Sequence, residues 1–304
     1  MSSKLNRIYV GAICNRDLEI FQKIKKFCSK NYNISIVNLF KNGPDIFNVK
    51  YFRKKLKKYP ISLIIVKLYS ERSNQVIYNA IEQYAPNIPL LNSLDSVKIC
   101  ESRNDTFSFL NQKCKKLNIP KIYPSFSDAY KAYKNGTRII IKLDTHNIPY
   151  LPKNDRILGV AENISDFKEI TTEFKSNNLF FQEYIGESEI VYKIYIIDRW
   201  AVSITSHNRI QEKAEISPLD LIHMRVPIDK QLKRRILRLG RKLGMTIFGI
   251  DYILNKDGIP YIVDVNDFPS FRSIPEAVSL ISDYIYNILF IRRQLYSAPA
   301  KVQG

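Results

Sequence analysis

Residues 248–267 read FGIDYILNKDGIPYIVDVND: two runs rich in β-branched and aromatic residues, one on each side of an Asp257-Gly258 turn signal. With Asp257 and Gly258 as the central residues of a tight turn, Phe248 to Leu254 and Pro260 to Asn266 pair as antiparallel strands. Asp251 then falls directly opposite Asp264. Asn266 follows on the same face, because side chains alternate along a strand. Like charges opposite one another destabilise a ladder, and charge among Ile, Val, Phe and Tyr is expensive unless compensated. A divalent cation removes both penalties. Two carboxylates and an amide oxygen are hard ligands of the kind Mg²⁺ takes, one or two ions completing their shells with water and substrate phosphates. An exposed hairpin with scattered acids is the ordinary alternative.

The chain has 304 residues, 45% of them hydrophobic and 12% aromatic, which is enough for substantial cores in two or three parts. No stretch reaches the roughly 20 apolar residues of a spanning helix, and MSSKLNRIYVGAICNRD contains no signal-type apolar segment. Cys14, Cys28, Cys100 and Cys114 are dispersed without a CxxC pair. A reduced, cytoplasmic protein with no membrane partner is therefore expected. The formal net charge of +18 attracts polyanions, whether nucleic acid, an anionic surface or a small, densely phosphorylated substrate. Two basic runs stand out, 53–58 and 233–242. The second reads as an amphipathic helix opened by Asp229, with Ile236, Leu239 and Leu243 on its apolar side and the cations on an outer face. Neither run interleaves aromatics as a single-strand nucleic-acid platform does. Nucleic acid is accordingly not an expected partner, and a monomer is expected.

Up to residue 95, the strands RIYVGAIC, ISIVNLF, ISLIIVKL and IPLLN alternate with helices, the pattern of a small parallel-sheet domain. No GxGxxG follows its first strand. Ligands of such sheets sit at strand C-terminal ends, which singles out Asn15, Arg16 and Lys67. A single long helix, about Leu94 to Leu117, leads into a mixed α+β part running to residue 185 that contains TRIIIKLD and LFFQEYI. In it Lys142 and Asp144 share a strand face with Ile140. A lysine so placed needs an anion, either Asp144 or a phosphate. The last part, 186–304, holds EIVYKIYIID with Lys193 in mid-strand, the basic helix, the carboxylate hairpin and a closing helix over about Pro275 to Arg293. The expected fold class is α/β and α+β in three parts: 1–95, 96–185 and 186–304.

The order of a strand lysine (Lys142), the strand FFQEYI, the strand YKIYII and then FGIDYIL…YIVDVNDFP resembles the ATP-grasp superfamily. In that fold two α+β subdomains clamp ATP behind an N-terminal α/β domain, and the likeness covers essentially the whole chain. It is most similar to the inositol 1,3,4-trisphosphate 5/6-kinase (inositol-tetrakisphosphate 1-kinase) branch. There a V-x-Y-K-V-Y/F-V strand precedes a metal strand reading D-x-N-x-F-P; here the two are IVYKIYI and DVNDFP. The resemblance implies an ATP-dependent kinase using Mg²⁺. Lys142 would contact the α/β-phosphates, Arg103 would reach the nucleotide phosphates, and Gln182, Glu183, Tyr184 and Ile185 would line the adenine. Asp251, Asp264 and Asn266 would hold the metal. Lys193 would lie between the γ-phosphate and the acceptor, so that Lys193, Asp264 and Asn266 form the catalytic group of an in-line transfer.

On the same resemblance, the acceptor is a small anionic, phosphorylated molecule such as an inositol phosphate, contacted by Arg16, Lys67, His146, Lys193, Arg209, Ser270 and Arg272. The chain departs from the branch in three places. Its segment after Lys142 holds one histidine, His146, and no glycine, where the branch carries an HGTxxH-like loop. Glu187 stands where the branch has a second histidine, and Ser270 where it has glycine. Two rival functions remain open. A carboxylate–amine ligase would use the same metal site through an acyl phosphate, though such ligases generally read E-x-N and carry a glycine-rich loop. A non-catalytic polyanion binder would have no use for paired acids.

Overall fold

The computed structural model describes residues 7–41, 47–71, 73–149, 151, 156–172, 178–186, 188, 190–207 and 223–297. The chain divides into two compact units: 1–68, 72–94 and 270–304 form the first, and 69–71 with 95–269 the second.

In the first unit, β1 (Ile8–Cys14), α1 (Leu18–Tyr32), β2 (Ile34–Asn38), α2 (Val49–Lys58), β3 (Ile61–Lys67), α3 (Asn74–Tyr84) and β4 (Leu90–Leu91) alternate. The strands form one parallel sheet in the order β2-β1-β3-β4. Parallel strands are covered on both faces, and Leu63, Ile64, Ile65 and Val66 of β3 are accordingly all buried.

The second unit contains α4 (Leu94–Ile99), α5 (Arg103–Lys113), β5 (Ile122–Tyr123), α6 (Phe126–Lys134), β6 (Ile139–Leu143), β7 (Ile157–Ala161), α7 (Ile164–Thr172) and β8 (Leu179–Glu183). The strands β5-β8-β6-β7 make an antiparallel sheet, packed through Phe126, Phe167 and Phe181 against α6 and α7. The single long helix expected over Leu94 to Leu117 is two helices. Ser102, in extended backbone, accepts the Asp105 N–H at 3.1 Å and opens α5 as its N-cap, while bridging to Thr145.

Next come β9 (Ile190–Ile197), β10 (Trp200–His207), β11 (Arg225–Val226), α8 (Lys230–Leu243), β12 (Ile247–Leu254) and β13 (Pro260–Asp267). They form a five-stranded antiparallel sheet in the order β11-β10-β9-β12-β13. Leu232, Ile236, Leu239 and Leu243 of α8 pack with Leu110 of α5 against Ile194, Ile196, Phe248 and Ile250. By alternation, Lys193, Tyr195 and Asp251 occupy the other face.

Asp251 does face Asp264 across the β12–β13 hairpin, but not through a two-residue turn. The connection runs over residues 255–259, with Asn255 Oδ1 accepting the N–H groups of Asp257 (3.0 Å) and Ile259 (2.8 Å). Next to that loop the pairs are Leu254↔Pro260, Ile253↔Tyr261 and Tyr252↔Ile262; Val263 is then an extra residue, and pairing resumes at Asp251↔Asp264. A β-bulge thus corrects the register that the longer loop would otherwise shift.

After β13 the chain closes with α9 (Ala277–Ser297), which belongs to the first unit and packs on α1. Tyr32 stacks on Tyr286 with ring centroids 4.7 Å apart, and its hydroxyl donates to Asp283. Among the described residues no helix is long and apolar enough to cross a membrane.

Candidate active site

Two rows of side chains cross the open face of the five-stranded sheet. In one, Lys193 of β9 is paired with Asp251 of β12, which is paired with Asp264 of β13. In the next, Tyr195, Gly249 and Asn266 stand in the same relation. Gly249 keeps this second row low: a Cβ there would lie 3.2 Å from Pro269 Cγ and 3.8 Å from Asn266 Cβ. Lys193 Nζ donates to Asp251 Oδ2 at 2.6 Å. Burial pushes the Lys193 ammonium down, but Asp251 outweighs it and holds the group above its ordinary value. Burial, then the Asp251 charge, push the Tyr195 phenol up to about 12, so it stays protonated. Tyr195 was not among the sequence candidates, although its spacing of two from Lys193 was signal enough to find it.

Asp264 is surrounded by cations. His146 Nε2 lies 2.9 Å from its Oδ2 and Arg103 Nε 3.6 Å from its Oδ1. The other His146 nitrogen, Nδ1, meets the Cys100 carbonyl at 3.2 Å. Both ring nitrogens therefore face protein oxygens. Burial pushes the Asp264 carboxyl up, yet His146, Arg103 and Lys142 together outweigh it and hold the group well below the usual carboxylate range. His146 is 3% exposed and engaged on both sides. It thereby orients Asp264 from the segment that follows β6.

Lys142 on β6 is 5% exposed and donates to Gln182 Oε1 of β8 at 2.9 Å and to the Val263 carbonyl at 3.1 Å. Val263 is the bulge residue of β13, so one irregularity both restores the hairpin register and turns a carbonyl toward Lys142. Burial lowers the Lys142 pKa to about 8, with Asp264 working against it. The sequence left open whether Asp144 or a phosphate balances this lysine, and Asp144 is not bonded to it. Asp144 instead accepts from Ser102 Oγ (2.9 Å) and from the Asn104 N–H (2.7 Å) at the start of α5. Arg103, first residue of that helix, donates to the Leu143 carbonyl at 2.5 Å, which ties β6 to the helix that faces Asp264.

Asp264 Oδ1 is buried and receives no hydrogen bond, its ion pair with Arg103 Nε at 3.6 Å being too long for one. With Asp251 opposite, and the Asn266 amide 3.5 Å from Asp264 Oδ2, the donor set is hard, oxygen-rich and suited to Mg²⁺. Among the described residues no three or more His, Cys, Asp and Glu side chains gather where they could hold a metal ion, so this set rests on two carboxylates and one amide.

Of the residues expected to line the adenine, two have backbone amides already in use. The Glu183 N–H already donates to the Lys121 carbonyl (2.8 Å) and the Tyr184 N–H to that of Arg138 (2.9 Å), so Ile185 carries the next amide able to meet a base edge. Of the remaining sequence candidates, Arg16, Lys67, Ser270 and Arg272 belong to the first unit. There Lys67 is wholly buried at the end of β3, with Nζ 3.2 Å from Asp17 Oδ2. Arg272 is bonded to Asp17 and Glu19. Asp17 went unnoticed, although it directly follows Arg16. Arg209 and Glu187 lie outside the described residues.

The profile of the Inositol 1,3,4-trisphosphate 5/6-kinase ATP-grasp domain matches residues 198–287, which hold β12 and β13. An inositol-tetrakisphosphate 1-kinase of Xenopus laevis is 24% identical over 133 residues, 36% of this chain and 34% of that protein, so the match spans about a third of the relative's length. Inositol-tetrakisphosphate 1-kinase 2 of Oryza sativa subsp. indica is 21% identical over 306 residues, 88% of this chain and 83% of the other. Among solved structures, the D-alanine–D-alanine ligase of Bacillus anthracis complexed with ATP superposes with a TM-score of 0.64 at 14% identity, covering 95% of this chain and 100% of that one. Other solved likenesses are described as ATP-grasp proteins. At such identities the structural likeness establishes the fold: a parallel-sheet unit and a second unit of two antiparallel sheets, in the ATP-grasp arrangement.

Proposed function

We propose that the chain, which has the fold of ATP-grasp proteins and its sequence likenesses among inositol phosphate kinases, is a Mg²⁺-dependent ATP phosphotransferase. Its acceptor is a small anionic polyol of the inositol phosphate class. The observation that carries this reading is the Lys193–Asp251–Asp264 row, with an Asp264 oxygen that receives no hydrogen bond and the buried ammonium of Lys142 held by Val263 of the same strand.

Asp251, Asp264 and Asn266 would hold Mg²⁺, which would supply positive charge against the charge developing on the nucleotide phosphates. The protein's own contribution is positioning and electrostatics. Lys142, held by Gln182 and the Val263 carbonyl, supplies a desolvated positive charge for the nucleotide phosphates, and Arg103 supplies a second. Residues 182–185 border the base. Lys193, kept charged by Asp251, is the cation placed to follow the transferred group toward the acceptor. Asp264 and Asn266 complete the catalytic group. Arg16, Lys67, Ser270, Arg272 and Arg209 are the proposed acceptor contacts.

The ligase reading uses the same metal strand but predicts different products. Labelled ATP with Mg²⁺ is incubated with inositol phosphates, then with amines and carboxylates. Label on the polyol supports the proposal. Inorganic phosphate released only when an amine and a carboxylate are both present transfers the protein to the ligases.

A further inference from the structure

In the first unit, the cations proposed for the acceptor are already interleaved with acids. Cys14 at the end of β1 is paired with Lys67 at the end of β3, so the residues after β1 and Lys67 meet at the strand ends where ligands of a parallel sheet bind. Asp17 takes left-handed backbone angles (φ 50, ψ 48) just before α1, a conformation Asp tolerates better than most residues. The turn places its carboxylate between two cations, Oδ2 lying 3.2 Å from Lys67 Nζ and Oδ1 3.2 Å from Arg272 Nη2. Glu19 holds Arg272 from the other side, its Oε1 2.9 Å from Nε and 2.7 Å from Nη2. Burial pushes the Asp17 carboxyl up, but Lys67 and then Arg16 outweigh it, so the group is ionised. Arg16, Lys67 and Arg272 contribute +3, and Asp17 and Glu19 −2, leaving a cluster of +1.

We propose that Asp17 sets the acceptor class at this strand-end cluster: a hydroxylated small molecule carrying no more than one phosphate, in place of a densely phosphorylated ring. That the bound molecule is an acceptor rests on the phosphotransferase reading above; the binding preference does not. One phosphate carries about −1.5 to −2 at pH 7, which matches a cluster of low net charge with arginine and lysine donors. A tetrakisphosphate brings several times that charge against the same cations and meets two carboxylates among them. Swinging Asp17 away would break its ion pair with the wholly buried Lys67, which is costly.

The test uses the full chain as wild type, Asp17→Asn and Glu19→Gln, with myo-inositol monophosphate and an inositol tetrakisphosphate. Calorimetric binding and transfer of label from ATP are read in parallel. Wild type is expected to favour the monophosphate at least tenfold. Asp17→Asn should tighten Kd and KM for the tetrakisphosphate at least tenfold, with little change for the monophosphate. Glu19→Gln, an exposed position whose loss leaves the buried pair intact, should move the ratio the same way by less. The proposal is overturned if wild type binds the tetrakisphosphate as well as or better than the monophosphate, if it binds neither, or if Glu19→Gln and a folded Asp17→Asn both leave the ratio unmoved. A binding preference without transfer to either ligand overturns the phosphotransferase reading and leaves the role of Asp17 standing.

Discussion

Lys142 is an ammonium in a nearly closed environment, and its nearest partners, Gln182 and the Val263 carbonyl, are neutral. Burial brings its pKa to about 8. Nucleotide phosphates favour the charged form, so above pH 8 nucleotide binding must take up a proton, and apparent ATP affinity should fall toward tenfold per pH unit. Below pH 8 this group contributes no pH dependence. Calorimetry at pH 8.5–9 in buffers of different ionisation enthalpy should show the uptake, and Lys142→Met should abolish it together with the affinity slope. Asp264→Ala removes the proposed metal-binding carboxylate and should cut ATP turnover by about a hundredfold or more, with the circular-dichroism spectrum of wild type; turnover like that of wild type in a folded variant would remove the metal assignment. His146→Ala spares the ligands themselves but frees Asp264 to rotate. The Mg²⁺ concentration for half-maximal turnover should rise about 10- to 100-fold, while a role confined to the acceptor would instead move the acceptor KM.

At the scale of elements, α8 approaches β12 closely at Gly240. A Cβ on Gly240 would sit 2.4 Å from Phe248 Cε1 and 2.9 Å from the Met245 carbonyl oxygen. In an open helix Gly→Ala stabilises by up to ~1 kcal/mol; here the sign reverses. Gly240→Ala should cost ~1–3 kcal/mol through overpacking, visible as a lower midpoint in denaturant with an unchanged slope. The strands and helices around this packing were legible because their signals are strong: β12 and β13 are rich in β-branched and aromatic residues around a turn signal, and α8 shows its apolar stripe despite its many cations. What the sequence concealed was local chemistry that breaks periodicity. Asn255 organises a longer loop than Asp257-Gly258 suggests, and the Val263 bulge hides the difference by restoring the facing of Asp251 and Asp264. Ser102 divides one apparent helix into two with a single side-chain acceptor, in a segment whose hydrophobic pattern runs straight through. The partners of the site residues were hidden for another reason. His146–Asp264 and Asp144–Asn104 join residues far apart in sequence, and no local pattern records such a pair.

For the molecule as a whole, the +18 charge is the property that most invites a polyanion-binding function. Much of it sits on single helices. α8 reads KQLKRRILRLGRKL, with seven cations and no acid, and its apolar stripe is consumed by packing against the five-stranded sheet. The cations therefore line the outer side of a helix that covers the sheet face opposite the Lys193–Asp251–Asp264 row. A helix and a sheet lie between them and that row. At physiological salt the screening length is about 8 Å, so the α8 charges contribute little to the potential at the row. Nonspecific polyanion retention and ATP chemistry should then separate cleanly. Arg234→Glu, Arg238→Glu and Arg241→Glu together change the charge by −6 on an exposed or half-buried surface. The triple variant should elute from heparin at markedly lower salt, and the slope of log K against log salt for duplex DNA should fall by about 0.9 for each phosphate that α8 no longer neutralises. Its Mg²⁺-dependent ATP turnover should stay within about twofold of wild type, because the row, Lys142 and Arg103 are untouched. Turnover collapsing in step with heparin affinity would mean that the basic helix serves the chemistry directly, and would return the charge from solvation to function.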